Sequence, residues 1–133
     1  MKRRVAIPLT LLVLGFAAAA TAQVGHPAKG SWLGYWGPSE DEQRRLRLLL
    51  DWKEREVTGT INPGRNAVAI DRTEVDYDTW TLTIEAEMPG ADGSPARFVA
   101  TGVLDNLGSW TNRRYRGTYV HGDEEGTFEL ALN

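Results

Sequence analysis

From Ser31 onward, apolar and polar residues alternate with a period of two, and turn-forming residues interrupt the pattern every eight to twelve positions. Half-buried antiparallel strands leave this signature. Residues 79–88 show it most cleanly: Trp80, Leu82, Ile84, Ala86 and Met88 fall on one face, and Thr81, Thr83, Glu85 and Glu87 on the other, because successive side chains of a strand point to opposite sides. Asp76, Tyr77, Asp78 and Thr79 precede the run as a tight turn, and residues 89–95, with two glycines and two prolines, follow it as a loop. Residues 96–104 place Phe98, Ala100, Gly102 and Leu104 on one side and Val99 and Val103 on the other. After a turn at Asn106, Leu107 and Gly108, residues 110–120 and 127–132 form a closing hairpin around residues 121–126, with Phe128, Leu130 and Leu132 inward.

The first half admits two readings. Ser39, Glu40, Asp41 and Glu42 match a helix-capping box, and helix formers crowd residues 43–56. A strand over residues 45–53 aligns Leu46, Leu48, Leu50 and Trp52 opposite Arg47, Asp51 and Lys53, with only Leu49 out of place. A helix would group Leu46, Leu49 and Leu50 and leave Leu48 and Trp52 on its flank. We read a short acidic helical turn at residues 40–44, followed by the strand. Residues 56–61 pair back on it, Asn62, Pro63 and Gly64 turn the chain, and residues 67–75 add another strand. With residues 31–36 this makes about eight strands: an all-β, antiparallel fold, read as an up-and-down barrel, with a two-sheet β-sandwich as the alternative.

Ahead of this domain stand Lys2, Arg3 and Arg4, an apolar run over residues 5–20, and the small-residue ending Ala20, Thr21, Ala22. These are the parts of a signal peptide cleaved after residue 22, and the run is shorter than the roughly 20 residues of a spanning helix. Residues 23–30 read as a flexible tail and residues 31–133 as one domain, exported to the periplasm or the medium. The chain has no cysteine, which excludes a lipid-bearing cysteine, a disulfide, a thiolate metal site and a cysteine nucleophile. Without the three leader cations the formal charge moves from −3 to −6. With no basic stripe to compensate, that charge argues against nucleic acid and anionic membrane as partners.

Chemistry is sparse. His26 and His121 are the two histidines, and no Gly-x-Ser-x-Gly elbow presents a serine to either; both read as solvated. His121, Asp123, Glu124 and Glu125 do not follow a calcium-loop spacing, and zinc would want more nitrogen or sulfur ligands. No metal and no cofactor is expected. Glu85 and Glu87 share one outward face, whereas glycosidase carboxylates face each other across a cleft. Arg72, Glu74 and Arg116 are the few charges near apolar strand faces, and none makes a catalytic centre, so the reading is a non-enzyme. The aromatics are the unusual feature. Trp52 and Trp80 sit on aliphatic faces and read as core, while Trp36, Trp110, Tyr115 and Tyr119 suit an open end. Gly117, between Tyr115 and Tyr119 on one face, leaves a gap that a ligand or a neighbouring side chain would fill. The many bulky inward residues favour a shallow pocket near one end over a roomy cavity.

The Gly30-Ser31-Trp32 opening of the first strand resembles that of the calycins, the lipocalins, fatty-acid-binding proteins and avidins. The resemblance implies a tryptophan near the closed end of a barrel, packed by an arginine of the last strands, a role that falls to Arg116 in Arg116-Gly117-Thr118-Tyr119. The chain also resembles short exported bacterial proteins of unknown function. The shared blocks are Trp32-Leu33-Gly34-Tyr35-Trp36-Gly37, Thr58-Gly59-Thr60-Ile61-Asn62-Pro63-Gly64, Trp80-Thr81-Leu82 with Glu85-Ala86, and Gly117-Thr118-Tyr119 with Gly126-Thr127-Phe128. That likeness implies a common fold and export, and no activity. The resulting expectation is an exported, non-enzymatic β-barrel binding a small apolar or amphipathic ligand, with Trp36, Trp110, Tyr115, Tyr119 and Arg116 as candidate ligand contacts. The alternative is a solid-core barrel that acts through its surface, as an inhibitor or an envelope protein-interaction module.

Overall fold

Among the described residues the chain forms nine strands and no helix: β1 (Gly30–Ser39), β2 (Glu42–Lys53), β3 (Glu56–Ile61), β4 (Val68–Ala69), β5 (Arg72–Asp76), β6 (Thr81–Pro89), β7 (Pro95–Asp105), β8 (Arg114–His121) and β9 (Glu124–Leu132). The computed structural model describes residues 25–133; the expected signal peptide and the first two residues of the expected tail lie outside the described residues. All pairings are antiparallel, in one sheet of order β4-β3-β2-β1-β9-β8-β7-β6-β5. Among the described residues no helix is long and apolar enough to cross a membrane.

Two expectations change in the first half. Instead of a helical turn over residues 40–44, β1 runs on to Ser39 and pairs with Glu42, so that Glu40 and Asp41 alone turn the chain. The capping-box residues have no apolar helical stripe behind them to bury. The alternation of Leu46, Leu48 and Leu50, each at most 2% exposed, holds the segment in the sheet instead. The single strand expected over residues 67–75 is two, because its backbone changes partner midway. The Ile70 amide donates to Gly59 O (3.0 Å), while the next amide, of Asp71, donates to Glu85 O (3.0 Å). β4 thus ends one edge of the sheet and β5 begins the other, and Thr73 Oγ1 donates to Val57 O across the gap (2.6 Å).

One face of the sheet curls onto a single core. Trp32, Leu46, Ile61, Leu82, Ile84, Phe98, Tyr115, Tyr119 and Leu130 are almost completely buried in it. Gly102 is required there: a Cβ at this position would lie 2.7 Å from Cζ of Phe128 and 2.6 Å from the Arg116 carbonyl. The same phenyl ring stands beside Gly117, its partner in register, and packs against Tyr115 with centroids 4.8 Å apart. The gap expected between Tyr115 and Tyr119 is therefore filled by a neighbouring side chain, Phe128.

The segment read as a flexible tail behaves differently over its described part. Residues 25–29 fold back across the end of the sheet where β1 starts, with Ala28 fully buried and its carbonyl accepting the Trp32 indole N–H (2.8 Å). Arg113 Nη1 donates to the Pro27 carbonyl beside it (2.9 Å). We refer to this as the Trp32 end, and to the opposite one, where β1 finishes, as the Trp36 end.

Candidate functional site

The five residues singled out by sequence do not meet in one place. Tyr115 is fully buried near Trp32, and its hydroxyl donates to the Leu82 carbonyl (2.8 Å). Burial pushes this phenol far above its ordinary range, so it is a satisfied core hydroxyl. Trp110 is 71% exposed in the β7–β8 loop, outside any strand, with the Arg113 guanidinium 4.7 Å from its ring. Arg116 points outward from β8, donates to Asp105 (3.1 Å), and lines an open groove with Tyr35, Glu40, Gln43 and Glu129. The arginine that does reach the Trp32 end is Arg113. It is 3% exposed, its Nη2 donates to the Leu107 carbonyl (2.5 Å), and its Nε has no partner. Arg116, the arginine expected to pack Trp32, is therefore not at that end; Arg113 turns in from the loop ahead of β8, which starts at Arg114.

Trp36 and Tyr119 do come together, at the Trp36 end, with ring centroids 4.8 Å apart. Two charged side chains lie on top of them: Arg44, which the sequence reading passed over, and Glu124, which it weighed only as a cation ligand. Arg44 pairs with Trp36 in register and lays its guanidinium 3.9 Å from the indole centroid, a cation–π contact. Glu124, at the start of β9, accepts from Arg44 and from the Tyr119 hydroxyl (2.6 Å). Arg44 also donates to the Tyr119 oxygen at 3.3 Å. Burial, reinforced by the Glu124 carboxylate, pushes the Tyr119 phenol up to about 12. In return, the Tyr119 hydroxyl, joined by Arg44, holds the Glu124 carboxyl below its ordinary value.

His121 borders this cluster and is not the solvated turn histidine expected. It is 9% exposed, its Nε2 lies 2.8 Å from the Met88 carbonyl, and its ring tilts toward Trp36 at 5.6 Å. Arg44, Glu124 and His121, together with the loop between β6 and β7, line an open depression of about 440 Å³. Among the described residues no three histidine, aspartate or glutamate side chains gather as a metal site. Glu85 binds Arg72 and Arg97.

The signal for Arg44 was present in the sequence, since it lies in phase with Leu46, Leu48 and Leu50, but assigning residues 40–44 to a helical turn removed it from the strand face. Comparison of the chain with protein-family models, with curated proteins and with solved structures found no match in any of the three.

Proposed function

We propose that this protein is an exported, non-enzymatic binding domain built on a solid β-barrel, which engages its partner from the outside and not within the sheet. One observation carries the reading. The rings that a lipocalin-like pocket would need are spent on the core: Trp32, Tyr115, Phe128, Phe98 and Tyr119 pack against one another or their neighbours at exposures of 4% or less. The passage of one strand segment from β3 to β6 supports the barrel, because β4 and β5 are consecutive in the chain yet stand at opposite edges of the ladder. A barrel closed along that seam would leave no free edge.

The outer wall offers a surface of suitable chemistry. Val99, Thr101 and Val103 on β7 lie beside Val120, Thr118 and Arg116 on β8. Val103 and Val120 are 39% and 43% exposed. Rich in β-branched residues and flanked by Glu85, Glu125 and Glu129, this patch suits a protein partner. A second reading, a small amphipathic ligand held at the Trp36 end, is favoured by the depression above Trp36, where rotation of Arg44 would bare the indole face.

Native mass spectrometry of the protein recovered from cells that make it separates the two. The proposal expects the bare chain or a complex with a second polypeptide. A small-molecule mass that is lost on denaturation, and lost again in Arg44→Ala, would overturn it in favour of the second reading.

A further inference from the structure

Trp52, Tyr77 and Trp80 converge at the Trp32 end from two separate hairpins, and the imidazole of His26 stands among them. His26 stacks on Trp52 with centroids 4.5 Å apart and planes at 25°, and meets Tyr77 and Trp80 edge-on, each at 5.8 Å. Tyr77 and Trp80 also contact each other, at 5.2 Å. The arrangement is held under strain: Trp80 adopts φ 54, a left-handed conformation that a bulky residue rarely takes. In exchange its ring turns toward Tyr77 and His26.

The hydrogen bonds fix what kind of ring the site accepts. The Ala28 amide donates to His26 Nδ1 (3.1 Å), so this nitrogen carries a lone pair. The neutral ring then bears its proton on Nε2, which lies 3.1 Å from the Tyr77 hydroxyl and donates to it. Burial favours the same neutral form, lowering the imidazole below its usual range. The charged groups next to the cluster include Asp51, paired with Lys29 and with Lys53 at 3.8 Å each, and Asp76 and Asp78 on either side of Tyr77. The occupant belongs to the short segment ahead of β1 and is only half-buried, while Tyr77 is 52% exposed, so the ring can leave by rotation of its own side chain, giving up the Ala28 amide bond while Ala28 stays in the core.

We infer that Trp52, Tyr77 and Trp80 form a binding site for a neutral, planar, N–H-bearing heteroaromatic ring, and that His26 is its built-in competitor. Stacking on Trp52 supplies the contact area, and the Tyr77 oxygen accepts the ligand N–H. The inference rests on the reading of a solid-cored domain that binds outside its interior, and it assigns one such place.

The test uses the full chain with its own N-terminus, with imidazole as probe and 1-methylimidazole, which has no N–H, as control, at pH 8.5 where both are neutral. In His26→Ala, imidazole should shift the Trp52 and Trp80 indole N–H signals saturably, while in the native chain saturation should need at least about tenfold more probe. 1-Methylimidazole should bind His26→Ala about fivefold or more weakly, and Tyr77→Phe in the same background should abolish that preference. Tyr77 lies in an exposed turn, so this variant folds whether or not the site exists. Equal affinity in the native chain and His26→Ala, or no saturable shift at Trp52 and Trp80, would overturn the inference. These outcomes are independent of the mass measurement: an internal small molecule would refute the solid-core reading and leave the result at Trp52 standing.

Discussion

At the scale of single residues, close packing and charge pairing decide what each position tolerates. Gly102 has no room for a side chain because Phe128 already occupies it. Gly102→Val should therefore destabilise the protein by about 1–3 kcal/mol, the usual cost of overpacking, seen as a lower urea midpoint with an unchanged slope. Glu124 gives a pH signature. The Tyr119 hydroxyl and Arg44 lower its folded-state pKa below the ordinary 4.5, so its contribution to stability is fully present above that value and is lost as pH falls through the shifted one. Glu124→Gln should be less stable than the native chain at pH 7, and denaturation at stepped pH should show the difference shrinking below about pH 4.5. A constant difference across that range would assign the loss to shape and not to charge.

At the scale of elements, the strands were legible and their ends were not. Alternation in residues 79–88 and 96–104 located β6 and β7 to within a residue or two, because each buries one face and exposes the other. It said nothing of where a strand changes partner, so β4 and β5 read as one. Nor could it show that Trp80, in phase with Leu82, belongs to the turn by its backbone. The β2–β3 turn was equally hidden: Glu54 and Arg55 both adopt positive φ, 51 and 68, where Asn-Gly would be the ordinary choice. Replacing the pair by Asn-Gly should relieve about 1–2 kcal/mol of backbone strain and raise the thermal midpoint by several degrees. An unchanged or lower midpoint would mean that the native side chains contribute more than their backbone costs.

At the scale of the whole molecule, the all-β antiparallel class and the crowding of the buried face were legible in the alternation, but the aromatics were placed by type and not by position. Trp36 and Tyr119 do share one end, whereas Tyr115 belongs to the core, Trp110 to a loop, and Arg116 to the outward face of the sheet. The distinction depends on which strands meet across the sheet, as when the Phe128 ring reaches Gly102 on a strand two positions away. Spacing along one strand cannot reveal such a contact. The packing of residues 25–29 is hidden for a similar reason: it rests on contacts made by His26 and Pro27 to residues far along the chain.

The five tryptophans report on every region of the account: Trp32 in the core, Trp36 beneath Arg44 and Glu124, Trp52 and Trp80 around His26, and Trp110 in the open. The most direct test is to follow their indole N–H signals by nuclear magnetic resonance while the protein is titrated with a panel of apolar and amphipathic small molecules and with any polypeptide that co-purifies with it. The account predicts that binding shifts Trp110 or the Trp52 and Trp80 pair, while the Trp32 signal, donated to the Ala28 carbonyl, stays fixed and slow to exchange. A ligand that moves Trp32 together with the Tyr115 ring in a saturable way would place a binding cavity inside the sheet and contradict the central claim.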